Sequence, residues 1–423
     1  MREQTSILKL FDLIARTVDK PDKFIQFLLQ YLSDTNLKIE KYEGVVKICE
    51  DSRCTRYVVI TYNPTIEIFS TSRKISKLII DIALKYLATS GEKKLVLLYM
   101  NIGDSRYVKL TKILRHRSDS FYIISSKLWN FIIALIAIFV AFLSSIVFKD
   151  LLLTMVFVVM SSIFMSTLSL LNVYKSSRGI DIFSRDILKI CISCRFDTPE
   201  SRIRSLLRIL KNFDEISRDT VHTIDAISRI VLGEYYQNFN IDNISLDINV
   251  VNLLDKLKTK VLLVNSDYCN AFTLPIFRRI IITTKLLAVL NNQEISAVIA
   301  HEIGHIVNND FIKSLILFIL NSFIIYLIVR YMISTFMSII FILSTMLLYI
   351  SISILLFFAI FRKFEIYADK YAEKIVGSDS LVNALIKVGW KSLILEIDKP
   401  IMLMLARIIS THPPILDRVL RVV

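Results

Sequence analysis

His301-Glu302-Ile303-Gly304-His305 reads H-E-x-x-H. On a helix, residues four apart project from one face, so both imidazoles can share one metal ion. Glu302, next to the first histidine, is then placed to act as general base on a water at that metal. The preceding run, Gln293 to Ala300, contains neither Gly nor Pro and suits a helix. Asn291 or Asn292 supplies the N-cap, because a short polar side chain there bonds the free N–H groups. The chain has five histidines, and two of them fall in this pattern. The competing reading is a surface helix with two solvated histidines. Apolar residues surround the motif, however, and a buried Glu beside two His is costly without a partner. A zinc-hydrolase site is the preferred reading.

At 423 residues the chain has room for two or three domains. Hydrophobic residues make up 54% and the mean hydropathy is +0.55, too apolar for an ordinary soluble protein. The net charge of +14 raises the question of nucleic acid. No aromatic-interleaved basic patch or nucleic-acid module accompanies it, so nucleic acid is not an expected partner. In so apolar a chain, the excess reads as cytoplasmic loops that obey the positive-inside rule. Met1–Thr5 leads into a charged amphipathic segment, which is not a signal-peptide pattern. The five cysteines, at 49, 54, 191, 194 and 269, are too scattered for a disulfide framework, and free thiols in a reducing compartment are expected. Cys191-Ile-Ser-Cys194 is a lone C-x-x-C without a partner pair, a weak signal for redox chemistry or a second metal.

Residues 1–126 read as a soluble α+β accessory domain. Ile7, Leu8, Phe11, Ile14 and Ala15 recur at helical spacing, as do Phe24, Phe27, Leu28 and Tyr31. Strand patterns follow at Val45–Cys49, Tyr57–Tyr62 and Thr65–Phe69, then a helix at Ile75–Leu87 and a strand at Lys94–Met100. Residues 127–174 read as a transmembrane hairpin: Leu128–Phe148 and Leu151–Val173 are uncharged and each long enough for one crossing. Arg115, Arg117 and Lys127 precede it, Lys175 and Arg178 follow it, and only Lys149 lies in its turn. This bias puts both flanks in the cytoplasm. Residues 175–313 form the cytoplasmic catalytic region. Its first part reads as charged and helix-rich, with an apolar face at Ile203, Leu206, Leu207 and Leu210, a solvated or membrane-surface helix rather than a nucleic-acid contact. Val261–Val264 is a strand pattern, Asn270-Ala271-Phe272 a loop or edge strand, and Ile280–Thr284 a β-branched run.

Residues 314–361 hold a single charge, Arg330, and their 48 positions suffice for a second hairpin with Arg330 at its outer turn. Residues 362–423 complete the catalytic region. A catalytic zinc takes three protein ligands and leaves one position for water. His301 and His305 give two. If 314–361 crosses twice, Glu365 returns to the face that carries His305. Glu365 and Asp369 are four apart on one helical face, so Glu365 can bind the metal while Asp369 accepts a ligand histidine's other N–H. Paired acids on a solvated helix are common, and only the even number of crossings lifts this pair above them.

These motifs, with Ser410-Thr411-His412-Pro413-Pro414 and Arg418, resemble the HtpX-type family of membrane zinc endopeptidases, relatives of the CAAX prenyl proteases. Asn270-Ala271-Phe272, Leu286-Leu287 and Asp310 add to the resemblance, which covers roughly residues 128–423. Lys285 departs from the Gly that family members often carry there, and residues 1–126 lie outside the family pattern. The resemblance implies a gluzincin: one zinc ion per chain held by His301, His305 and Glu365, peptide bonds as substrate, and an active site facing the cytoplasm. The expected fold is an α-rich, multi-pass membrane protein with four transmembrane helices in two hairpins, a zincin-like α+β catalytic domain and the extra N-terminal domain.

In the mechanism this implies, Glu302 moves the proton from water to the leaving amine. Asn270 and His412 are expected to stabilise the oxyanion, since the family motifs they match flank such clefts. For Asn270 the alternative is a turn residue, and for His412 a helix-entry residue before Pro-Pro. Asp310 joins Asp369 among the supporting carboxylates. The substrate is expected to lie extended beside Ile280–Thr284. Polypeptides, membrane proteins above all, and the lipid bilayer are the expected partners, with quality control of unfolded or damaged membrane proteins as the role. Two other readings stand beside it: a processing protease for a lipidated terminus, and a non-catalytic membrane adaptor with a closed four-ligand zinc, to which Cys269 could contribute.

Overall fold

A computed structural model of the chain describes residues 21–115 and 180–422, apart from short gaps within those ranges. The helical spacing at Ile7–Ala15 and the first expected hairpin, 127–174, lie outside the described residues.

Alternation decides the first sheet. Val46 and Ile48 point inward from the strand Val45–Cys49, and Val58 and Ile60 from Tyr57–Thr61. The two strands pair antiparallel, Val46 opposite Ile60, and Lys38–Tyr42 and Glu67–Ser70 complete a four-stranded meander. The helices Pro21–Leu32 and Arg73–Thr89 cover the inward face with Phe24, Leu28, Ile79 and Ala83. Val382, Ile386, Leu416 and Val419, from the far end of the chain, share this core. Cys49 and Cys54 are joined by a disulfide across a five-residue separation, against the expectation of free thiols throughout. Cys191, Cys194 and Cys269 are free.

A second sheet crosses the sequence boundary at 126. Glu92–Gly103 pairs antiparallel with Ile187–Arg195, so residues on either side of the first expected hairpin build one sheet. Tyr236–Asn243, Arg106–Lys109 and Glu215–Ser217 extend it, with Leu114–Arg115 beside Glu92–Gly103. Residues 1–126 are therefore not closed on themselves. Nor is the stretch after 175 simply helix-rich: Ile187–Arg195 and Tyr236–Asn243 are strands, one of nine residues and one of eight. Both faces of the central strand are buried. Leu95, Leu97 and Tyr99 meet Ile203, Leu206 and Leu210 of the helix Glu200–Leu210, while Val96 and Leu98 face the core that holds the histidine helix. The apolar face of Glu200–Leu210 is thus a core face, not a solvated or membrane-surface one. The same pleat separates Cys191 from Cys194, which pack into opposite cores and cannot act together.

The third sheet runs Ala271–Leu274, Arg279–Thr283, Lys260–Val264, Ile180–Asp181. Arg279–Thr283 lies inside it, parallel to Lys260–Val264 and antiparallel to Ala271–Leu274. Its edges are already paired, which removes it as the strand beside which a substrate could add. Among the described residues, Ala271–Leu274 is an edge strand of this sheet, with Ile180–Asp181 at the other end.

The histidine helix, Asn292–Val307, starts where the sequence suggests. Asn291 caps it: its Oδ1 accepts from Glu294 N at 2.8 Å, and Glu294 Oε2 accepts from Asn291 N at 2.9 Å. Such a capping box contributes about 1 kcal/mol. Glu294 also takes the Lys387 Nζ at 2.6 Å. Lys285 falls in a short helix, Thr284–Val289, capped by Thr283, so the departure from Gly is absorbed without a turn.

Two helices, Asp310–Ser334 and Ile339–Val376, are long and apolar enough to cross a membrane. Ile325, Val329, Met346 and Phe358 pack between them, and Asn321 Oδ1 accepts from Tyr349 Oη at 2.8 Å and Ser353 Oγ at 2.6 Å. Outward they present Ile316, Leu320, Ile324, Leu347, Leu348 and Leu356, each at least 44% exposed. A continuous apolar surface of that kind is costly in water. Arg330 stands in the last turns of the first helix rather than in the connection.

Candidate metal centre

The second of these helices does not stop where the apolar run ends. It continues as one 38-residue element through Glu365 and Asp369. It passes the histidine helix closely because Gly304 faces Ala368: a Cβ built on Gly304 would lie 2.9 Å from the Ala368 Cα. That approach brings Glu365 to the histidines. His301 Nε2 and His305 Nε2 are 3.3 Å apart; Glu365 Oε2 lies 3.6 Å from the first, and Glu365 Oε1 lies 3.6 Å from the second.

This triangle can be tested against a metal. Donors about 2.0–2.1 Å from a tetrahedral ion lie about 3.3 Å from one another. The His301–His305 edge matches that spacing, and each histidine has one Glu365 oxygen only slightly farther away. The donors also fit chemically. His305 Nδ1 lies 2.7 Å from Asp310 Oδ2, and His301 Nδ1 lies 3.0 Å from Asp369 Oδ1, the latter approach poorly aligned for a hydrogen bond. With the Nδ1 protons facing carboxylates, both Nε2 lone pairs turn toward Glu365. Burial disfavours a charged imidazole, yet Asp369 and Glu365 outweigh it and push the His301 pKa up to about 10. His305 is raised too, by Asp310 against the same desolvation. A site that draws protons this strongly is built to hold positive charge, and a divalent cation answers the same demand.

The remaining expected residues gather here with unequal roles. His301, Glu302, Glu365, Asp369 and Asp310 are all buried. His412 reaches in from the C-terminal segment, its Nδ1 2.9 Å from Glu365 Oε1 and its side chain half-exposed. Asn270 is exposed at the start of the edge strand, where its backbone N–H donates to Thr283 Oγ1 and its carbonyl accepts from Thr283 N. Cys269 is not among the converging groups, and burial pushes its thiol up to about 12, unsuited to a thiolate ligand.

Two contacts were not legible beforehand. Thr273, on the edge strand, donates from Oγ1 to Glu302 Oε2 at 2.6 Å and lies 3.1 Å from the Glu302 carbonyl. No spacing links a strand threonine to a helix glutamate 29 residues on. Arg418 was read only as part of a motif, but it grips Asp369 through two hydrogen bonds and lies 3.9 Å from Glu365. These carboxylates hold it charged despite its burial.

Two histidines one turn apart, a carboxylate from a second helix and a glutamate beside them make a candidate H-E-x-x-H metal site with glutamate as third donor. Residues 244–423 match the model of Peptidase family M48. Over 177 residues it is 29% identical to a "Protease HtpX homolog" from Paracidovorax citrulli (strain AAC00-1), a match over 36% of this chain and 60% of that protein. The chain thus spans about 60% of the length of this curated relative. The HtpX-like resemblance read from the motifs holds. A solved structure, that of S. mikatae Ste24p, is similar with a TM-score of 0.32 and 19% identity, covering 52% of this chain and 61% of that one.

Proposed function

We propose that this chain is a membrane-integral, zinc-dependent endopeptidase that degrades unfolded or damaged membrane proteins. The observation that carries the reading is the convergence of His301, His305 and Glu365 beside a Glu302 whose carboxylate is fixed by Thr273. When bound, zinc supplies Lewis acidity, acidifying water and polarising the scissile carbonyl. The chain's own residues do the rest. Glu302 accepts a proton from water on its carboxylate and delivers it to the leaving amine. Asp310 and Asp369 orient the two histidines, and Arg418 orients Asp369. His412 sits at the rim, where its ring can meet a developing oxyanion. Asn270, at the mouth of the edge strand, has the same role. The substrate lies extended along Ala271–Leu274, whose free edge offers backbone hydrogen bonds with little demand on sequence.

The paired apolar helices support a membrane location. One hairpin carries the chain out and back between Asp310 and Glu365, which keeps all the site residues on one face, the cytoplasmic face by the Lys/Arg bias. The adaptor reading needs a fourth ligand, and among the described residues three donors converge. The test is cleavage of casein and of an unfolded membrane protein by purified wild type and Glu302→Gln, with bound zinc counted in both. Many cuts by wild type alone, with zinc in both, are expected. One defined cut would favour a processing protease, and equal cleavage by both would sink the mechanism.

A further inference from the structure

The uncharged stretch of the long helix ends at Phe361, and the next two residues are Arg362 and Lys363. Beside them lies a cleft of about 490 Å³ lined also by Arg407, Arg421 and a single acid, Asp417. Arg407 forks onto Asp417, Nε to Oδ2 at 2.7 Å and Nη2 to Oδ1 at 2.6 Å, so that acid is already used. Arg362 Nη1 donates to the carbonyls of Ile408 at 3.0 Å and Ser410 at 2.9 Å, neutral acceptors, and among the described residues no carboxylate pairs with its charge. Lys363 and Arg421 are exposed and, among the described residues, have no carboxylate partner. Four cations face one acid in a concave site large enough for a headgroup.

A second observation says what covers it. In the helix Pro400–Ile409, Ile401, Met404, Leu405 and Ile408 recur on one face, and that face looks outward: Ile401 is 75% exposed and Met404 63%. A short helix that turns its apolar stripe away from the core suits the boundary between water and hydrocarbon. Arg362, by bonding Ile408 and Ser410, ties the end of this helix to the level at which the long helix becomes charged.

We propose that this cleft binds the phosphate of an anionic membrane lipid, with Lys363 and Arg421 as its free cationic contacts and Pro400–Ile409 lying among the acyl chains. Arginine and lysine both favour phosphate oxygens, and a basic pocket at the inner membrane surface suits such a headgroup. A soluble phosphate shares the chemistry, but the outward apolar helix beside the cleft favours the lipid. The inference rests on the reading of the paired helices as membrane-spanning, which resistance to alkaline carbonate extraction tests separately.

The experiment is native mass spectrometry of the full chain in neutral detergent, offered phosphatidylglycerol and phosphatidylcholine at equal concentration. Wild type is expected to retain phosphatidylglycerol about tenfold over phosphatidylcholine, in line with two added cations. The double variant Lys363→Gln/Arg421→Gln is expected to fall to about twofold or less, with bound metal unchanged as the measure of intact folding. Equal retention of both lipids by wild type, or an undiminished preference in the variant, overturns the proposal. Displacement of the lipid by millimolar inorganic phosphate assigns the site to a soluble anion and overturns it as well.

Discussion

Arg418 and Asp369 form a two-pronged ion pair, Nε to Oδ2 at 2.8 Å and Nη2 to Oδ1 at 2.6 Å, across 49 residues of chain. Asp369 in turn faces the Nδ1 of His301. The pair is buried, so removing one partner strands the other charge. Arg418→Met is expected to destabilise the fold by about 3–5 kcal/mol and to weaken metal binding about 10- to 100-fold. Arg418→Lys keeps the charge but not the fork, and should lie between. Metal competition with a calibrated chelator reads the affinity, and detergent-phase thermal unfolding reads the stability.

Glu302 is buried beside the histidines but does not complete the triangle of donors. Glu302→Gln should keep bound metal near one ion per chain and lose about 100- to 10,000-fold in peptide cleavage. Stripping the metal from wild type should abolish cleavage, and adding zinc back should restore it. If the Gln variant loses its metal along with its activity, Glu302 is a ligand and not the base.

Thr273 fixes one oxygen of that carboxylate. A hydrogen bond to a charged group is worth roughly 1.5–3 kcal/mol, so Thr273→Val should lower kcat about 10- to 100-fold with KM and metal content little changed. Thr273→Ser should recover most of the loss. Equal defects in both variants would point to packing instead of positioning.

Gly304 sets helix propensity against packing. In an exposed helix, Gly to Ala gains about 1 kcal/mol. Here the new methyl would lie 2.9 Å from the Ala368 backbone. Overpacking of that kind costs about 1–3 kcal/mol, and relief requires the two helices to part, which draws Glu365 from the histidines. Gly304→Ala is therefore expected to destabilise and to weaken metal binding. A more stable variant with full metal content would show that the approach is not needed.

Lys189 supplies a pH dependence away from the metal. Its Nζ donates to the Leu290 carbonyl at 2.6 Å, just before the cap of the histidine helix, and burial lowers its pKa to about 8. The unfolded chain therefore binds more protons between about pH 8 and the ordinary lysine value. The Lys189 contribution to stability should rise with pH across that window, by on the order of 2 kcal/mol. Unfolding of wild type and Lys189→Met at pH 7 and pH 9.5 checks this: the change between the two pH values should be more favourable in wild type than in the variant by about that amount.

The sequence by itself pointed to the histidine helix, a cap at Asn291 or Asn292, the candidate ligand set and the apolar helix pair that returns Glu365 to the histidines. Those features are local periodicities or counts of crossings, and both are written in order along the chain. Three of the four strands of the meander and the strand at Val261–Val264 were legible for the same reason. Tertiary structure alone decided that Ile280–Thr283 is an inner strand: a short β-branched run carries no mark of edge or interior, and only pairing put it inside the sheet. It alone joined Glu92–Gly103 to Ile187–Arg195 across the expected domain boundary, since register between distant strands leaves no periodic trace. The contacts of Thr273 with Glu302, Arg418 with Asp369 and Gly304 with Ala368 belong to the same class. Each depends on two elements whose separation in space is set by packing, and no spacing along the chain encodes that distance.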